Sequence, residues 1–141
     1  MTDQTLYERI GPERIMALAH AWHDRATADE VVEHAFSHGF NPDHVHRIAA
    51  YWAEAWGGPT DSTDSMGDES SVVRMHSGDG EHVGMDERAE DCFIAAAQDI
   101  GLASDVCDEL LAYWRWATVH MNAYPTSDRQ VPDGIPFATW S

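Results

Sequence analysis

The sequence contains no lysine. Its 8 basic residues are all arginine and are set against 25 acidic residues, which gives a formal net charge of -17 at pH 7. A polyanion of this size is repelled by phosphate backbones and by anionic lipid surfaces. Nucleic acids and membrane surfaces are therefore excluded as expected partners, and small molecules or apolar ligands are favoured.

Cysteine is scarce, and long apolar runs are absent. Cys92 and Cys107 lie too far apart in sequence for a chelating pair, and the composition is not that of a disulfide-rich scaffold. No segment approaches the ~18 apolar residues that a membrane span requires. The first residues show no positive segment followed by an apolar run, so no secretory signal is predicted. We expect reduced thiols and a cytoplasmic location.

Several catalytic motifs are also missing. The sequence has no phosphate-binding glycine loop with a lysine, no Gly-x-Ser-x-Gly and no His-Glu-x-x-His. No segment alternates with a period of two for long enough to predict a strand. With 141 residues, of which 43% are hydrophobic, the chain is long enough for one domain with one core. The expected fold class is all-α, with five or six helices.

Proline and glycine mark the predicted helix boundaries. The predicted elements are a short helix over 6–10 ending at Gly11, a helix over 12–26 beginning at Pro12, a helical turn over 29–35, a helix entered at Asn41 and Pro42 and ended by Gly57-Gly58-Pro59, a surface loop over 60–69, a short helical turn over 70–75, a helix over 85–100, and a helix from a cap at Ser104 or Asp105 to Tyr124. Residues 125–141 hold three prolines, so we expect residues 1–124 to form the domain. The rest is predicted to be an extended tail that packs back through Ile135, Phe137 and Trp140.

Histidine is abundant, with nine residues, and His76 is the first candidate for a functional role. It lies where a short helix breaks into a glycine-rich loop. A neutral imidazole held there can be an axial metal ligand. The same position also fits a loop histidine bonded to nearby carbonyl groups.

A second candidate surface lies on the helix that follows Pro42. His44, Ile48 and Trp52 share one face, and Arg47 flanks it. This arrangement suits a flat, apolar, dianionic ligand, because the apolar groups would cover its plane while the arginine meets carboxylates at its edge. A core stripe edged by a solvated arginine has the same pattern.

The other histidines give weaker signals. His23 lies on the Pro12 helix, where a buried histidine bonded to a backbone carbonyl is the simplest interpretation. His76 and His82, with Asp79 and Glu81 between them, have the composition of an iron or zinc site, but a glycine-rich loop is a poor scaffold for rigid ligands. The histidines without a partner at ligand spacing are predicted to be surface or capping residues: His20, His34, His38, His46 and His120.

Three segments together resemble the truncated haemoglobins, most closely the group II branch found in actinobacteria. They are the opening Leu6-Tyr7-Glu8-Arg9-Ile10-Gly11, the segment FSHGFNPDHVHRIAAYWAEAWGGP over 36–59, and Val72-Val73-Arg74-Met75-His76. The second is similar to the family's distal helix with its Gly-Gly-Pro stop, and the third to the segment that delivers the proximal histidine. With the last helix, the resemblance covers residues 5 to 124.

The resemblance implies a two-over-two helical sandwich that holds haem b between the Asn41 helix and the His76 segment. His76 would be the iron ligand, with Arg74 and Met75 beside it. Phe36 would pack on the haem and Arg47 would pair with a propionate. His44 would be the distal residue one turn before Ile48, with Trp52 further along the same face.

Two positions depart from the family pattern. Where the family ordinarily has a tyrosine that donates a hydrogen bond to the bound ligand, this chain has His23. Where group II members have a tryptophan that reaches the ligand, the chain has Asp91 or Cys92, and Cys92 is the preferred match. The resemblance thus implies that His23 and His44 replace the usual ligand-stabilising groups.

The function implied is binding of oxygen, nitric oxide or carbon monoxide at haem iron, for oxygen transport, nitric oxide handling or peroxide-linked redox chemistry in which His44 and His23 serve as catalytic groups. An electron-donor reductase is a possible partner, and the protein would be a monomer or a homodimer. Two other classes remain: a helical interaction module without a cofactor, and a non-haem metalloprotein that uses His76 and His82.

Overall fold

The computed structural model describes residues 4–33, 43–78 and 83–140. Within these ranges the protein is helical and contains no β-strand. The helices are α1 (Leu6–Ile10), α2 (Pro12–Ala28), α3 (Glu30–Glu33), α4 (His44–Ala55), α5 (Asp61–Ser65), α6 (Glu69–Met75), α7 (Val83–Asp99) and α8 (Ser104–Met121), followed by a 3-10 turn at Asp128–Gln130. The all-α prediction is confirmed, whereas the predicted number of five or six helices is too low for the described part of the chain.

The first two helices begin and end where the sequence predicts. Thr5 caps α1 through a capping box with Glu8, in which each side chain receives the other's backbone N–H. Gly11 then adopts φ +88, which favours glycine, and Pro12 occupies the first turn of α2. The break between α1 and α2 is therefore caused by the backbone preferences of Gly11 and Pro12 themselves.

The start of α4 differs from the prediction. The helix begins at His44 with Asp43 in the N-cap position, and Asp43 makes no side-chain capping hydrogen bond. Asn41 and Pro42, the predicted entry, lie outside the described residues. His44 is therefore the first residue of α4.

The predicted stop of α4 is confirmed, and the structure supplies its reason. Gly57 has φ +95, and a Cβ at Gly58 would lie 2.5 Å from Cδ2 of the Tyr7 ring. The Tyr7 backbone N–H donates to the Trp56 carbonyl at 2.9 Å. Only glycine allows α1 to approach the end of α4 this closely.

The prediction of a surface loop over 60–69 is wrong. Residues 61–65 form α5, and Glu69 already belongs to α6. The buried carboxylate of Glu54 accepts the Thr63 backbone N–H at 2.9 Å and also the Thr63 hydroxyl. This segment is ordered by a contact with α4 that its own small, polar composition does not reveal.

The later helices match the prediction with shifted ends. Asp68 caps α6 by accepting the Ser71 N–H at 2.9 Å. The N-cap residue of α8 is Ala103, so the predicted cap at Ser104 or Asp105 is one or two residues late. The helix α8 ends at Met121, with Asn122 in the C-cap position, and is therefore three residues shorter than predicted at this end.

The helices form two pairs, α2 with α4 and α7 with α8, and the pairs meet where α2 packs on α7. Their interface is rich in aromatic rings. Phe93 stacks on Trp114 with ring centroids 4.2 Å apart, and Trp52 meets Phe93 edge-on at 5.2 Å. Burial of such large rings contributes strongly to the stability of the core.

The segment after α8 returns across the domain. The Trp140 backbone N–H donates to the Ala55 carbonyl at 2.7 Å, and the Phe137 ring lies 4.9 Å from that of Tyr51. The Ile135 N–H donates to the Ser70 hydroxyl at 3.0 Å. The tail thus contacts both α4 and α6. Across the described ranges, no helix has the length and apolar character needed to cross a bilayer.

Candidate functional site

Two histidines from different helices are in contact. The Nδ1 atoms of His23 on α2 and His44 on α4 lie 3.2 Å apart. Because a hydrogen bond needs one donor, one ring carries the proton at Nδ1 and the other presents a lone pair there. The accepting ring, when neutral, must carry its own proton at Nε2. When both rings are neutral, they therefore adopt complementary tautomers.

The surroundings of His44 keep it neutral. Burial lowers the pKa of His44 to about 4, with smaller contributions from repulsion by His23 and by His76. At neutral pH the ring is consequently a neutral imidazole that can donate from one nitrogen and accept at the other. The contribution from His76 also shows that these two imidazoles lie within electrostatic reach of each other.

The lowered pKa predicts a loss of stability in acid. Between pH 6.5 and about 4 the unfolded chain binds a proton at residue 44 that the folded protein does not, so stability falls as the pH falls through this window. After a discount for solvent screening of a half-buried ring, the loss is about 1–2 kcal/mol.

This loss is measured by urea unfolding of the protein without any ligand near pH 7 and at about pH 5. The variant His44→Gln should lose less stability on acidification than the parent protein. His46→Gln is the matched control, because His46 lies on the same helix and is exposed. Equal acid sensitivity in all three proteins would contradict the lowered pKa.

His76 is held differently. It follows the last residue of α6, its side chain is exposed, and its Nδ1 lies 2.8 Å from the Val72 carbonyl oxygen. Since a carbonyl only accepts, Nδ1 carries a proton, and in the neutral ring Nε2 presents a lone pair. Among the described residues, no hydrogen-bond partner occupies Nε2. This is the arrangement in which a histidine binds a metal, with the second ring nitrogen anchored to fix its orientation.

The two helices that carry His44 and His76 are joined at one point. The Tyr51 hydroxyl on α4 donates to Oε1 of Glu69 on α6 at 2.8 Å. His44 lies seven residues before Tyr51, and His76 lies seven residues after Glu69. Each histidine is thus about two turns along its own segment from the residue that makes this hydrogen bond. The bond ties α4 to α6, the two elements whose ends carry His44 and His76.

The other residues predicted on α4 and α7 divide between the site and the core. Arg47 donates from Nη1 to the Met66 carbonyl at 2.9 Å, and Ile48 is half-buried. Trp52 is 5% exposed and packs among aromatic rings deeper along α4. On α7, Cys92 is buried, and burial raises the pKa of its thiol, whereas Asp91 is exposed.

The residues beside His76 face elsewhere. Arg74 donates to the Val131 carbonyl at 3.2 Å and pairs with Asp133, both in the tail. The Met75 side chain is 74% exposed. The structure therefore directs Arg74 toward the tail and does not bring it to the pair formed by His23 and His44.

Some predicted residues cannot be placed. Phe36, His82, Asp79 and Glu81 lie outside the described residues. In the part of the chain that is described, no group of three or more histidine, cysteine, aspartate or glutamate side chains is arranged to hold a metal ion. The alternative site at His76 and His82 thus remains a sequence-based hypothesis.

Sequence reasoning missed two residues of the site. Tyr51 adjoins the apolar face of α4, and Glu69 is one of many acidic residues at a helix start, so neither carries a pattern of its own. Glu69 is 2% exposed, and its Oε2 also accepts the Ala138 N–H at 2.6 Å. A buried carboxylate of this kind is recognised only once its partners from three segments are seen together.

No protein-family model matches the sequence, and no curated protein matches it. Solved structures do match. A thermostable haemoglobin from the actinobacterium Thermobifida fusca is 22% identical, with a TM-score of 0.71 over 84% of this chain and 96% of that one. The group II truncated haemoglobin from Bacillus anthracis is 16% identical, with a TM-score of 0.74 over 89% of this chain and 95% of that one. The truncated oxygen-avid haemoglobin from Bacillus subtilis is 16% identical, with a TM-score of 0.71 over 84% and 99%.

Proposed function

The chain has the fold of the truncated haemoglobins, and on that premise we propose that it binds haem b through His76 and takes diatomic ligands on the side of His44. The observation that carries the proposal is the state of the His76 ring. Its Nδ1 is anchored to the Val72 carbonyl, and its Nε2 lone pair is available. Fold alone does not establish a cofactor, so the residues of the site must carry the argument.

The side chains present fit a haem. The His76 imidazole has one ring nitrogen anchored and would serve as the axial ligand, and the imidazoles of His44 and His23, which contact each other, would lie on the other face of the haem. The hydrogen bond from Tyr51 to Glu69 ties together the two helices that would flank it. The exposure of the His76 ring is what a ligand bound at Nε2 would cover.

Further contacts of the haem follow from the same placement. Ile48, on the face of α4 that begins at His44, would cover part of the ring plane. Arg47 is exposed and uses Nη1 for the Met66 carbonyl, so its other donors remain able to meet a propionate. Phe36 and Cys92 complete the proposed contact set from the sequence match.

Bound haem would supply an iron that binds diatomic ligands and undergoes one-electron redox changes. The protein's own contribution is the histidine pair. When His23 donates from Nδ1 to Nδ1 of His44, His44 carries its proton at Nε2 and can donate a hydrogen bond to a ligand. This imidazole donor takes the place of the phenol and indole that the sequence lacks at the matching positions.

The same contact also supports proton transfer, which favours peroxide-linked redox chemistry as a second role. If His44 gives up the proton at Nε2, its Nδ1 can take the proton that His23 holds between the two rings. His23 then takes up a replacement proton at its own Nε2 from outside the pair. A relay of this kind delivers a proton to the ligand side without charging the buried His44.

The proposal is tested by titrating the purified protein with hemin and recording visible spectra of the ferric and ferrous forms with and without carbon monoxide. We expect stoichiometric binding and a ferrous carbon monoxide complex. His44→Ala should bind hemin equally well but release oxygen faster, since the distal donor is gone. A protein that refuses hemin would instead support a cofactor-free module, and bound metal without porphyrin would support the non-haem hypothesis.

A further inference from the structure

Four aromatic rings form a continuous series from the proposed haem site to the protein surface. The centroids of Trp52 and Trp56 are 5.6 Å apart with the rings nearly parallel, those of Trp56 and Tyr113 are 5.5 Å apart, and those of Tyr113 and Trp116 are 6.0 Å apart. The first three rings are at most 5% exposed, and Trp116 is 40% exposed. We call Trp52, Trp56, Tyr113 and Trp116 the four-ring series.

The inner end of the series lies where α2 and α4, the helices that carry the histidine pair, pack together. Trp52 lies on the face of α4 that begins with His44 and continues through Ile48. Trp22, the residue before His23, meets Trp52 edge-on with centroids 6.2 Å apart. The series therefore starts beside both helices that carry the distal imidazoles.

Packing alone does not account for the composition of the series. Aromatic pairs at these separations stabilise a core, but aliphatic side chains and phenylalanine would fill the same space. All four rings are instead indoles or a phenol, the aromatic side chains that lose an electron most readily. The Nε1 of Trp56 is buried and finds no hydrogen-bond partner among the described residues, so its N–H does not anchor the fold. Trp116 packs on Tyr113 and Trp140 and is 40% exposed, so molecules in solution can reach its indole.

We propose that the four-ring series carries single electrons from Trp116 to the haem site, so that phenolic reductants too large to enter that site are oxidised at Trp116. The inference rests on the proposed haem function and adds to it a second substrate position, on the surface of α8. Electron transfer between rings in van der Waals contact needs no movement of the protein. The reductant therefore needs access only to the exposed indole.

The electrons and atoms balance with an organic hydroperoxide as the oxidant. Cleavage of the O–O bond of ROOH takes two electrons and two protons and yields ROH and water. Trp116 supplies the electrons one at a time, and each time its indole N–H proton passes to solvent. Each phenol then returns one electron and one proton to Trp116, so two phenols become two phenoxyl radicals.

The series is tested first by locating oxidised residues. Protein loaded with hemin is treated with an organic hydroperoxide in air without phenol, digested, and analysed by peptide mass spectrometry. We expect Trp116 to gain oxygen, because its radical lacks a reductant and combines with dissolved dioxygen. In Trp56→Phe this modification should be lost, since phenylalanine preserves the packing but does not donate an electron.

A matched control lies in the same core. Trp114→Phe changes a tryptophan that packs on Trp22, Phe93 and Trp52 but, among the described residues, has no ring contact with Trp56, Tyr113 or Trp116, so it lies beside the inner end of the series and not along it. This control should leave the oxidation of Trp116 unchanged. Equal oxidation of Trp116 in all three proteins would overturn the proposal, because the residue would then be attacked from solution.

The second test uses a substitution at the surface and not in the core. Trp116→Phe alters an exposed residue, so the fold should be retained. The Trp116→Phe variant should no longer oxidise a phenol coupled to a large polymer, but it should still oxidise free phenol. If hemin binds normally and the polymer-linked phenol reacts equally well, the inference fails and the haem function stands. If hemin does not bind, the proposed function itself fails.

Discussion

Replacement of His76 with alanine is expected to abolish stable haem binding and to leave the helical fold intact. His76 follows α6 and is exposed, so no core packing depends on its ring. In the proposed haem complex, its removal would take away the axial bond and leave only apolar and propionate contacts. Affinity for hemin should fall by more than the roughly 10–100-fold that loss of an outer partner of a metal ligand costs.

The control for this experiment is His46→Ala, which removes an exposed histidine from α4. Hemin titration and circular dichroism of both variants separate loss of the ligand from loss of the fold. A smaller variant, His76→Gly, should recover the spectrum of a haem with a nitrogen ligand when free imidazole is added. A spectrum unchanged by His76→Ala would show that another residue holds the iron.

The sequence predicts those parts of the fold whose cause is local. Pro12, Gly11 and Gly57-Gly58-Pro59 set helix ends through backbone geometry that each residue carries with it. The loop predicted over 60–69 is wrong because Glu54, on another helix, accepts hydrogen bonds from Thr63. The composition of a segment does not reveal a hydrogen-bond partner that lies on another helix and comes close only on folding.

The same division applies to the candidate site. The spacing of His44, Ile48 and Trp52 places them on one face of a helix, and the structure has all three on α4. The contact between His23 and His44 depends on how α2 packs against α4, so sequence reasoning alone interpreted His23 as a buried structural residue. Only the resemblance to a family of known fold suggested that the two imidazoles act together.

The buried carboxylate of Glu69 is the other residue that only the structure reveals, and Glu69→Ala is expected to cost about 2–4 kcal/mol of stability. Glu69 accepts hydrogen bonds from the Tyr51 hydroxyl and the Ala138 N–H, and its Oε2 lies 3.7 Å from Nε2 of His120. Truncation to alanine would leave the Tyr51 hydroxyl on α4 and the Ala138 N–H in the tail without their acceptor. Polar groups that are desolvated and unpaired destabilise the folded state.

The measurement is urea unfolding of the haem-free protein, with Glu87→Ala as the control, because Glu87 is an exposed acidic residue on α7. The control should change stability by no more than about 0.5 kcal/mol. Tyr51→Phe removes one of the two hydrogen-bond donors to Glu69 and should cost about 1 kcal/mol, and the double variant should cost less than the sum. Because the bond from Tyr51 to Glu69 ties α4 to α6, the two helices proposed to flank the haem, hemin affinity should fall in both single variants. Additive stability losses with unchanged hemin affinity would show that the carboxylate anchors the tail and does not shape the site.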